Sequence, residues 1–253
     1  MAEWHDQNAA TILALDVGAT TIKYCPVDQE GHLLDTPRRR PTPYPCTPGR
    51  LVEALVARVE ETDWHRVGVG FPGEFANGHV VRPGNLNRPG GVTTEVDPEL
   101  TREWSGYPLQ DILCQATGRD VRVVNDATLA ALGCCEGRGV EVVVTLGTGV
   151  GLALERDGQP VRVRDVGAAQ FRDGRTYDQS LGERTRSEDP DRWYELLEEA
   201  LRGFAEEFSA TAIHLAGGNA KRVVASRFTT LPCPVTVHGN EAPLHGAARL
   251  FYR

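Results

Sequence analysis

Residues Leu15–Lys23, LDVGATTIK, set a carboxylate, a glycine, two hydroxyls and an ammonium immediately after an apolar run. A turn between two strands can present consecutive backbone N–H groups as a concave anion site, and glycine lets a ligand approach that backbone closely. Gly18, Ala19, Thr20 and Thr21 would supply amides and hydroxyls, and Lys23 a point charge. Asp16 would hold a hydrated Mg²⁺ rather than touch a phosphate directly. A second stretch, TLGTGVG, offers Thr145, Gly147, Thr148 and Gly149 in the same manner, without the acid. Each turn alone also fits a plain β-hairpin whose glycines relieve positive φ.

The two stretches are related. EVVVTLGTGVGLALERDGQPVRV lies on TILALDVGATTIKYCPVDQEGHLL at an offset of 129 residues, placing Thr145 on Asp16, Gly147 on Gly18 and Thr148 on Ala19. Self-similarity of this kind marks a duplicated supersecondary unit. One turn with a metal-holding acid and one without suits a polyphosphate gripped from both sides.

Further candidates follow along the chain. VRVVNDATLAAL puts Asn125 and Asp126 where a buried strand hands over to a helix, the end at which α/β sheets place ligands. Either residue would also serve as a helix N-cap. Phosphoryl transfer to an alcohol needs amides and a metal on the phosphates and a carboxylate to take the hydroxyl proton. Asp126 is the candidate base, with Asn125 free to bond a neighbouring hydroxyl. Gly217 and Gly218 lie at another strand-to-helix turn, open either to a flat nucleoside or to nothing more than a loop. Gly68, Gly70 and Gly73 spell GxGxxG, but Pro72 and a turn-rich extended stretch stand where a dinucleotide motif requires a helix. A Walker A lysine motif is absent.

The elements that must position these residues read as a repeated α/β order. Strands fall on TILALDVG, TTIKYCPVD, HRVGVGFPG and RDVRVVND, and helices on TPGRLVEALVARVEET, YPLQDILCQATG and ATLAALGCCEG. After residue 140 the strand, turn, strand pattern restarts; DPDRWYELLEEALRGFAEEF and AIHLAGG complete it, and NEAPLHGAARLFYR reads as a closing helix. The expected architecture is a two-lobed α/β protein with the two turns facing across a central cleft. Residues 1–115 would form the first lobe, 116–240 the second, and 241–253 would pack back on the first.

Composition agrees with an ordinary globular chain of 253 residues, 40% hydrophobic and 25% charged. A formal charge of −8 argues against a nucleic-acid binder, whose affinity rests on clustered Lys and Arg. The run Arg38–Arg40 reads as a solvated face. No apolar stretch reaches the roughly 18 residues of a membrane helix. Glu3 and Asp6, with no basic segment ahead of the first apolar run, read against a signal peptide and for a cytoplasmic location. The six cysteines read as buried free thiols; the adjacent pair Cys134 and Cys135 cannot chelate a metal as CxxC does.

LALDVGATTIK, GVGFPG, VVNDATLAAL, VVVTLGTGVGLAL and LAGGNA, in this order and spacing, resemble the ROK family of sugar kinases. That family belongs to the superfamily of actin, the heat-shock ATPases and hexokinases. Within it the chain is most similar to the polyphosphate glucokinases and their ATP-dependent relatives. The resemblance implies a duplicated ribonuclease H-like (actin-like ATPase) fold, Mg²⁺, and ATP or polyphosphate as donor to a hexose or related polyol. It assigns the first phosphate motif to Asp16, Gly18, Thr20, Thr21 and Lys23, and the second to Thr145, Gly147, Thr148 and Gly149. Nucleoside contacts fall to Gly217, Gly218 and Asn219, the base to Asp126, and sugar contacts to Pro72, Gly73, Asn85, Asn125 and Asp165. A homodimer is open, since relatives are commonly dimers. The family's cysteine-rich zinc motif is missing.

The departure is DVGAAQF where the family reads ELGH. Asp165 replaces a glutamate, Ala168 a histidine, and Gln170 a following glutamate. Each buried partner lost from a sugar hydroxyl costs roughly 1 to 3 kcal/mol. The phosphate end is therefore complete and the acceptor end altered. The sequence leaves open a catalytically weak or inactive nucleotide- or sugar-binding protein, and an acyl or acetate kinase. Arg162, Arg164, Arg172 and Arg175 stand as candidates for a polyphosphate track or as solvated loop charges.

Overall fold

A computed structural model describes residues 11–61 and 64–252. Glu3 and Asp6, which carry the leader reading, lie outside the described residues. The chain divides into two compact units, one running through Leu129 and resuming at Pro243, the other Ala130–Ala242.

In the first unit, β1 (Ile12–Val17) is buried along its whole length, as an apolar run covered on both faces should be. It pairs antiparallel with β2 (Thr21–Val27). β3 (Arg38–Pro41) closes that edge with largely exposed arginines, a charged rim that discourages further strand pairing. On the other side β1 pairs in parallel with β4 (Arg66–Phe71). A small hairpin, β5 (Glu74–Ala76) and β6 (His79–Arg82), follows, and β7 (Asp120–Asn125) pairs in parallel with β4. The sheet order is β3-β2-β1-β4-β7.

Three helices are set by local chemistry. In α1 (Pro48–Val59) the Thr47 hydroxyl accepts the Arg50 N–H, Pro48 opens the first turn, and Leu51, Leu55 and Val59 form the buried stripe. α2 (Pro98–Trp104) is capped by Asp97, and α3 (Leu109–Thr117) ends on Gly118 in the left-handed region. The Trp104 indole packs on Phe71 with ring centroids 5.4 Å apart and donates to the Cys46 carbonyl at 2.8 Å. α4 (Asp126–Cys134) begins directly after β7, and the boundary between the units falls inside it.

The second unit repeats the plan. β8 (Val140–Leu146), β9 (Val150–Arg156) and β10 (Gln159–Val161) form an antiparallel set. The hairpin β11 (Gln170–Arg172) and β12 (Arg175–Thr176) precedes α5 (Tyr177–Leu181), which opens on a Thr176/Gln179 capping box, and α6 (Glu183–Glu188). α7 (Pro190–Phe208) lays Trp193, Leu197, Leu201 and Phe204 on the face of the sheet carrying Val142, Val144, Ile213 and Leu215. β13 (Ala212–Ala216) and β14 (Val235–Val237) complete the order β10-β9-β8-β13-β14.

The two sheets share one order and one mix of antiparallel and parallel pairs, so the duplication is structural as well as sequential. The repeat is inexact at the turn itself. Val17 pairs with Ile22, leaving residues 18–21 in the first turn, whereas Leu146 pairs with Val150, leaving residues 147–149 in the second. The offset of 129 therefore holds for the first strand of each repeat and shortens by one residue beyond the turn.

Two expectations about boundaries change. The division falls at Leu129/Ala130 rather than after residue 115, because β7 hydrogen-bonds to β4 and belongs to the first sheet. Residues 241–252 form α8 (Ala242–Gly246) and a 3-10 turn Ala248–Leu250 instead of one helix. This segment is seated closely on the first unit: a Cβ on Gly68 would lie 2.9 Å from the Ala247 methyl. No helix among the described residues is long and apolar enough to cross a membrane.

Gly68→Val would drive two methyls into Ala247. The expected outcome is a loss of about 1–3 kcal/mol in urea-induced unfolding, with the segment after Pro243 gaining hydrogen exchange first.

Candidate active site

The first turn is held by its carbonyl groups. Gly18 O accepts the Thr42 hydroxyl at 2.7 Å, Ala19 O the Tyr44 hydroxyl at 2.5 Å, and Thr20 O the Thr42 N–H at 3.1 Å. The Gly18 N–H closes the turn onto Thr21 O at 3.0 Å. The amides of Ala19 and Thr20 and the hydroxyls of Thr20 and Thr21 make no hydrogen bond among the described residues. With the carbonyls committed elsewhere, the remaining polar atoms are donors, the condition for an anion site. Thr42 and Tyr44 were not singled out from the sequence. The quoted stretch PTPYPCTP contains both, but no local pattern says which carbonyl a side chain two dozen residues away will meet.

Asp16 and Lys23 lie opposite each other across the β1–β2 pair and form an ion pair, Nζ to Oδ2 at 2.6 Å, with side chains 8% and 14% exposed. Lys23 is therefore not an isolated point charge for phosphate, as the sequence alone suggested. The pair leaves the site near neutrality, so the residues fit a hydrated Mg²⁺ that brings phosphate oxygens with it, Asp16 adding one hard carboxylate.

Asn125 and Asp126 divide the labour at the start of α4. Asn125 is the cap: its Oδ1 accepts the N–H groups of Ala127 at 3.0 Å and Thr128 at 3.2 Å. Its amide donates to Gly73 O at 2.6 Å and to Asp126 Oδ1 at 3.1 Å. Both N–H groups of that amide are engaged, which corrects the expectation that Asn125 is free for a substrate hydroxyl. Asp126 Oδ1 also accepts the Ala127 N–H at 2.8 Å, and the residue is half-buried. The carboxylate is thus oriented by two donors instead of acting as the helix cap.

Gly70 lies between the Asp16 side chain and the backbone of Asp126. A Cβ there would stand 3.5 Å from Asp16 Oδ1, 3.4 Å from Asp126 Cα and 3.0 Å from the Leu129 side chain. The GxGxxG glycines thus serve close packing; β4 passes through Phe71 into Pro72 and β5, with no helix for a dinucleotide. Buried Pro72 and half-buried Gly73 adjoin the 3-10 turn Gly84–Asn87, which carries Asn85 half-exposed and without a hydrogen bond among the described residues.

In the second unit the shorter turn is fixed by Asn219 and Asp178. The Asn219 amide donates to Gly147 O at 3.0 Å and its N–H to Leu146 O at 2.9 Å, while Val150 N–H donates to Asp178 Oδ1 at 2.7 Å. Burial, with Asp165 adding repulsion, raises the Asp178 carboxyl above its usual range against the pull of that N–H. The hydroxyls of half-buried Thr145 and exposed Thr148, and the amides of Thr148 and Gly149, have no partner among the described residues. Asn219, expected to touch a nucleoside, is buried and holds the turn. Gly217, at φ +94°, lies against it, and space beside Gly218 is open.

The altered acceptor segment is solvent-facing. Asp165, Ala168 and Gln170 are all exposed, and Asp165 Oδ1 accepts the Gly167 N–H at 3.1 Å. Arg172 pairs with Glu199, and Arg175 donates to Gln179 O and the Thr185 hydroxyl, so neither is an uncommitted phosphate contact. All six cysteines are free thiols; Cys114 alone is half-buried, and burial pushes Cys46 and Cys134 up to about 12.

A duplicated strand-turn-strand unit, with a glycine turn in each copy and an acid at a strand end, is the arrangement of the actin-like ATPase fold. A model described as the ROK family matches residues 12–167, more than half of the chain. The protein belongs to the ROK family.

Its relatives include an inorganic polyphosphate/ATP-glucomannokinase from Arthrobacter sp. strain KM, 30% identical with a TM-score of 0.78, the match covering 95% of this chain and 98% of that one. A ROK family glucokinase from Streptomyces griseus, solved with glucose and AMPPNP, shares the fold at TM-score 0.73 and 21% identity, over 95% and 98% of the two chains. The polyphosphate glucokinase of Mycobacterium leprae is 27% identical over 176 residues, 65% of this chain and 49% of that protein. The chain thus spans about half the length of the curated relatives it matches.

Tyr44→Phe removes one of the anchors on the first turn. Binding of tripolyphosphate, followed by calorimetry, should weaken about three- to tenfold with little change in stability. Gly217→Ala would place a Cβ 2.5 Å from Leu146 O at a φ unfavourable to side chains. A stability loss of about 1–3 kcal/mol in denaturant titration is expected, with weaker tripolyphosphate binding.

Proposed function

We propose that the protein is a sugar kinase that transfers a phosphoryl group from ATP or polyphosphate to a hydroxyl of a hexose or related polyol. The observation that carries this reading is the arrangement around Gly70. The backbone of Asp126, whose carboxylate Asn125 orients, lies on the same glycine as the Asp16 side chain, and the strand of Asp16 leads into a turn whose carbonyls are all engaged. Asp126 would accept the proton of the attacking hydroxyl, and Asn85 would hydrogen-bond the sugar beside Pro72 and Gly73. Donor phosphates would be held in the first unit by the amides and hydroxyls of residues 18–21; the second unit offers donors of the same types at residues 147–149, with Thr145 alongside. The open surface at Gly218 suits the base of a nucleotide, and its neighbours Gly217 and Asn219 keep the turn in shape.

Mg²⁺ bound with the donor would neutralise charge on the transferring phosphoryl group. Asp16 is the residue that would orient its water shell, with Lys23 keeping the carboxylate in place. The names of the relatives support the substrate class: a glucomannokinase, glucokinases and an N-acetylmannosamine kinase all phosphorylate sugars. Asp165, in place of the longer acid, supports an acceptor preference that differs from theirs.

The test is a coupled phosphorylation screen of glucose, mannose, N-acetylmannosamine and small polyols with ATP and polyphosphate as donors. Turnover of at least one acceptor is expected, falling roughly 100- to 10,000-fold in Asp126→Asn while donor affinity is kept. Donor binding with no turnover of any acceptor would overturn the reading in favour of a binding protein.

A further inference from the structure

The second unit carries a cluster that phosphoryl transfer does not use. Cys135 follows α4, Glu141 sits on β8 and His214 on β13; all three are buried, and one ligand atom from each lies within 4.8 Å of the others. Strand residues alternate in direction, and Val142, Val144, Ile213 and Leu215 point to α7. Glu141 and His214 therefore occupy the opposite face, remote in register from the turn at residues 147–149.

We propose that Cys135, Glu141 and His214 bind one Zn²⁺ as a structural site, with a water in the fourth position. A thiolate, a neutral imidazole and a carboxylate are the donor types this cation takes. Their combined charge of −2 cancels that of the metal, the condition a buried site tolerates best. The carboxylate is already in place. Glu141 Oε1 accepts the Glu136 N–H at 2.8 Å, and Oε2 accepts the N–H groups of Gly137 at 2.7 Å and Arg138 at 3.0 Å. Glu141 also stands opposite Glu155 across the β8–β9 pair, and both are buried.

The imidazole is equally prepared. His214 Nε2 is 3.1 Å from Glu141 Oε1, and its Nδ1 is 2.9 Å from His238 Nε2. A histidine ligand almost always has its second nitrogen held by a hydrogen-bond partner, and His238 fills that role. Without metal, His214 carries its proton on Nε2 and donates to Glu141, and Nδ1 accepts from His238. Binding moves that proton to Nδ1, which then donates to His238 Nε2, and His238 carries its own proton on Nδ1. The Cys135 thiol proton leaves to solvent.

The second cluster of this kind among the described residues, Asp28, Glu30 and His32, is a largely exposed group on a turn and serves as a control. The full chain, loaded with Zn²⁺ and desalted, should retain about one ion per chain by elemental analysis and unfold at a higher temperature than after chelation. Co²⁺ in its place should give a thiolate-to-metal charge-transfer absorption. Cys135→Ser and His214→Ala should each lose both the retained ion and that band, whereas Cys134→Ala and His32→Ala should keep them. In nitrogen-15 spectra of the unmutated protein, His214 should change from the Nε2–H to the Nδ1–H tautomer on Zn²⁺ addition. Failure of the unmutated chain to retain metal, or an equal ion content and band in Cys135→Ser, would overturn the site. These readouts are independent of sugar phosphorylation and stand or fall apart from it.

Discussion

A hairpin turn holds an anion only if its carbonyl oxygens are engaged elsewhere, because each peptide carries an acceptor as strong as its donor. In this protein that condition is met in full at the first turn, where the carbonyls of residues 18–21 are all engaged, and in part at the second, where those of Gly147 and Gly149 are. The first turn is anchored by Thr42 and Tyr44, side chains on the segment following the edge strand β3, and the second by Asn219 at the end of β13. What remains at each turn is a group of unengaged N–H and hydroxyl donors. The proposed phosphate chemistry depends on this commitment of backbone polarity, complete at the first turn.

Close approach supplies the rest of the constellation. Gly70 lets β4 pass within van der Waals distance of Asp16 and of the first residue of α4. A side chain there would meet Leu129, the Asp126 backbone and the Asp16 carboxylate. The charges are managed locally: Asp16 is balanced by Lys23, and Asp126 is steered by the Asn125 amide. With Asp16 balanced by Lys23, the first turn is nearly neutral, as a proposed donor arriving with its own cation would require, since a strongly anionic pocket would repel it and a strongly cationic one would retain the product.

The duplication was adapted as well as copied. Both sheets keep the same strand order, yet the second turn is one residue shorter and carries Thr145 where the first has an acid. Asn219 does for the second turn what Thr42 and Tyr44 do for the first. The second unit also turned one sheet face polar, with Glu141, His214 and Glu155 buried opposite the α7 core.

The periodicities, the glycine turns, the internal repeat and the motif order were all legible from the sequence, and with them the fold and the family. These are local signals: a buried strand shows as a run of apolar residues, and a capped helix as Thr47-Pro48 followed by a spaced apolar stripe. The boundary within α4 was not legible, because strand partners are chosen across the sheet and β7 joins β4 only once the chain has folded. Nor did the sequence distinguish which of Asn125 and Asp126 caps the helix, that Lys23 belongs to Asp16, that Tyr44 holds Ala19, or that Cys135 meets Glu141 and His214. Side-chain types and spacing along the chain record what each residue can do; which partner it meets is fixed by contacts between segments whose separation in sequence carries no local trace.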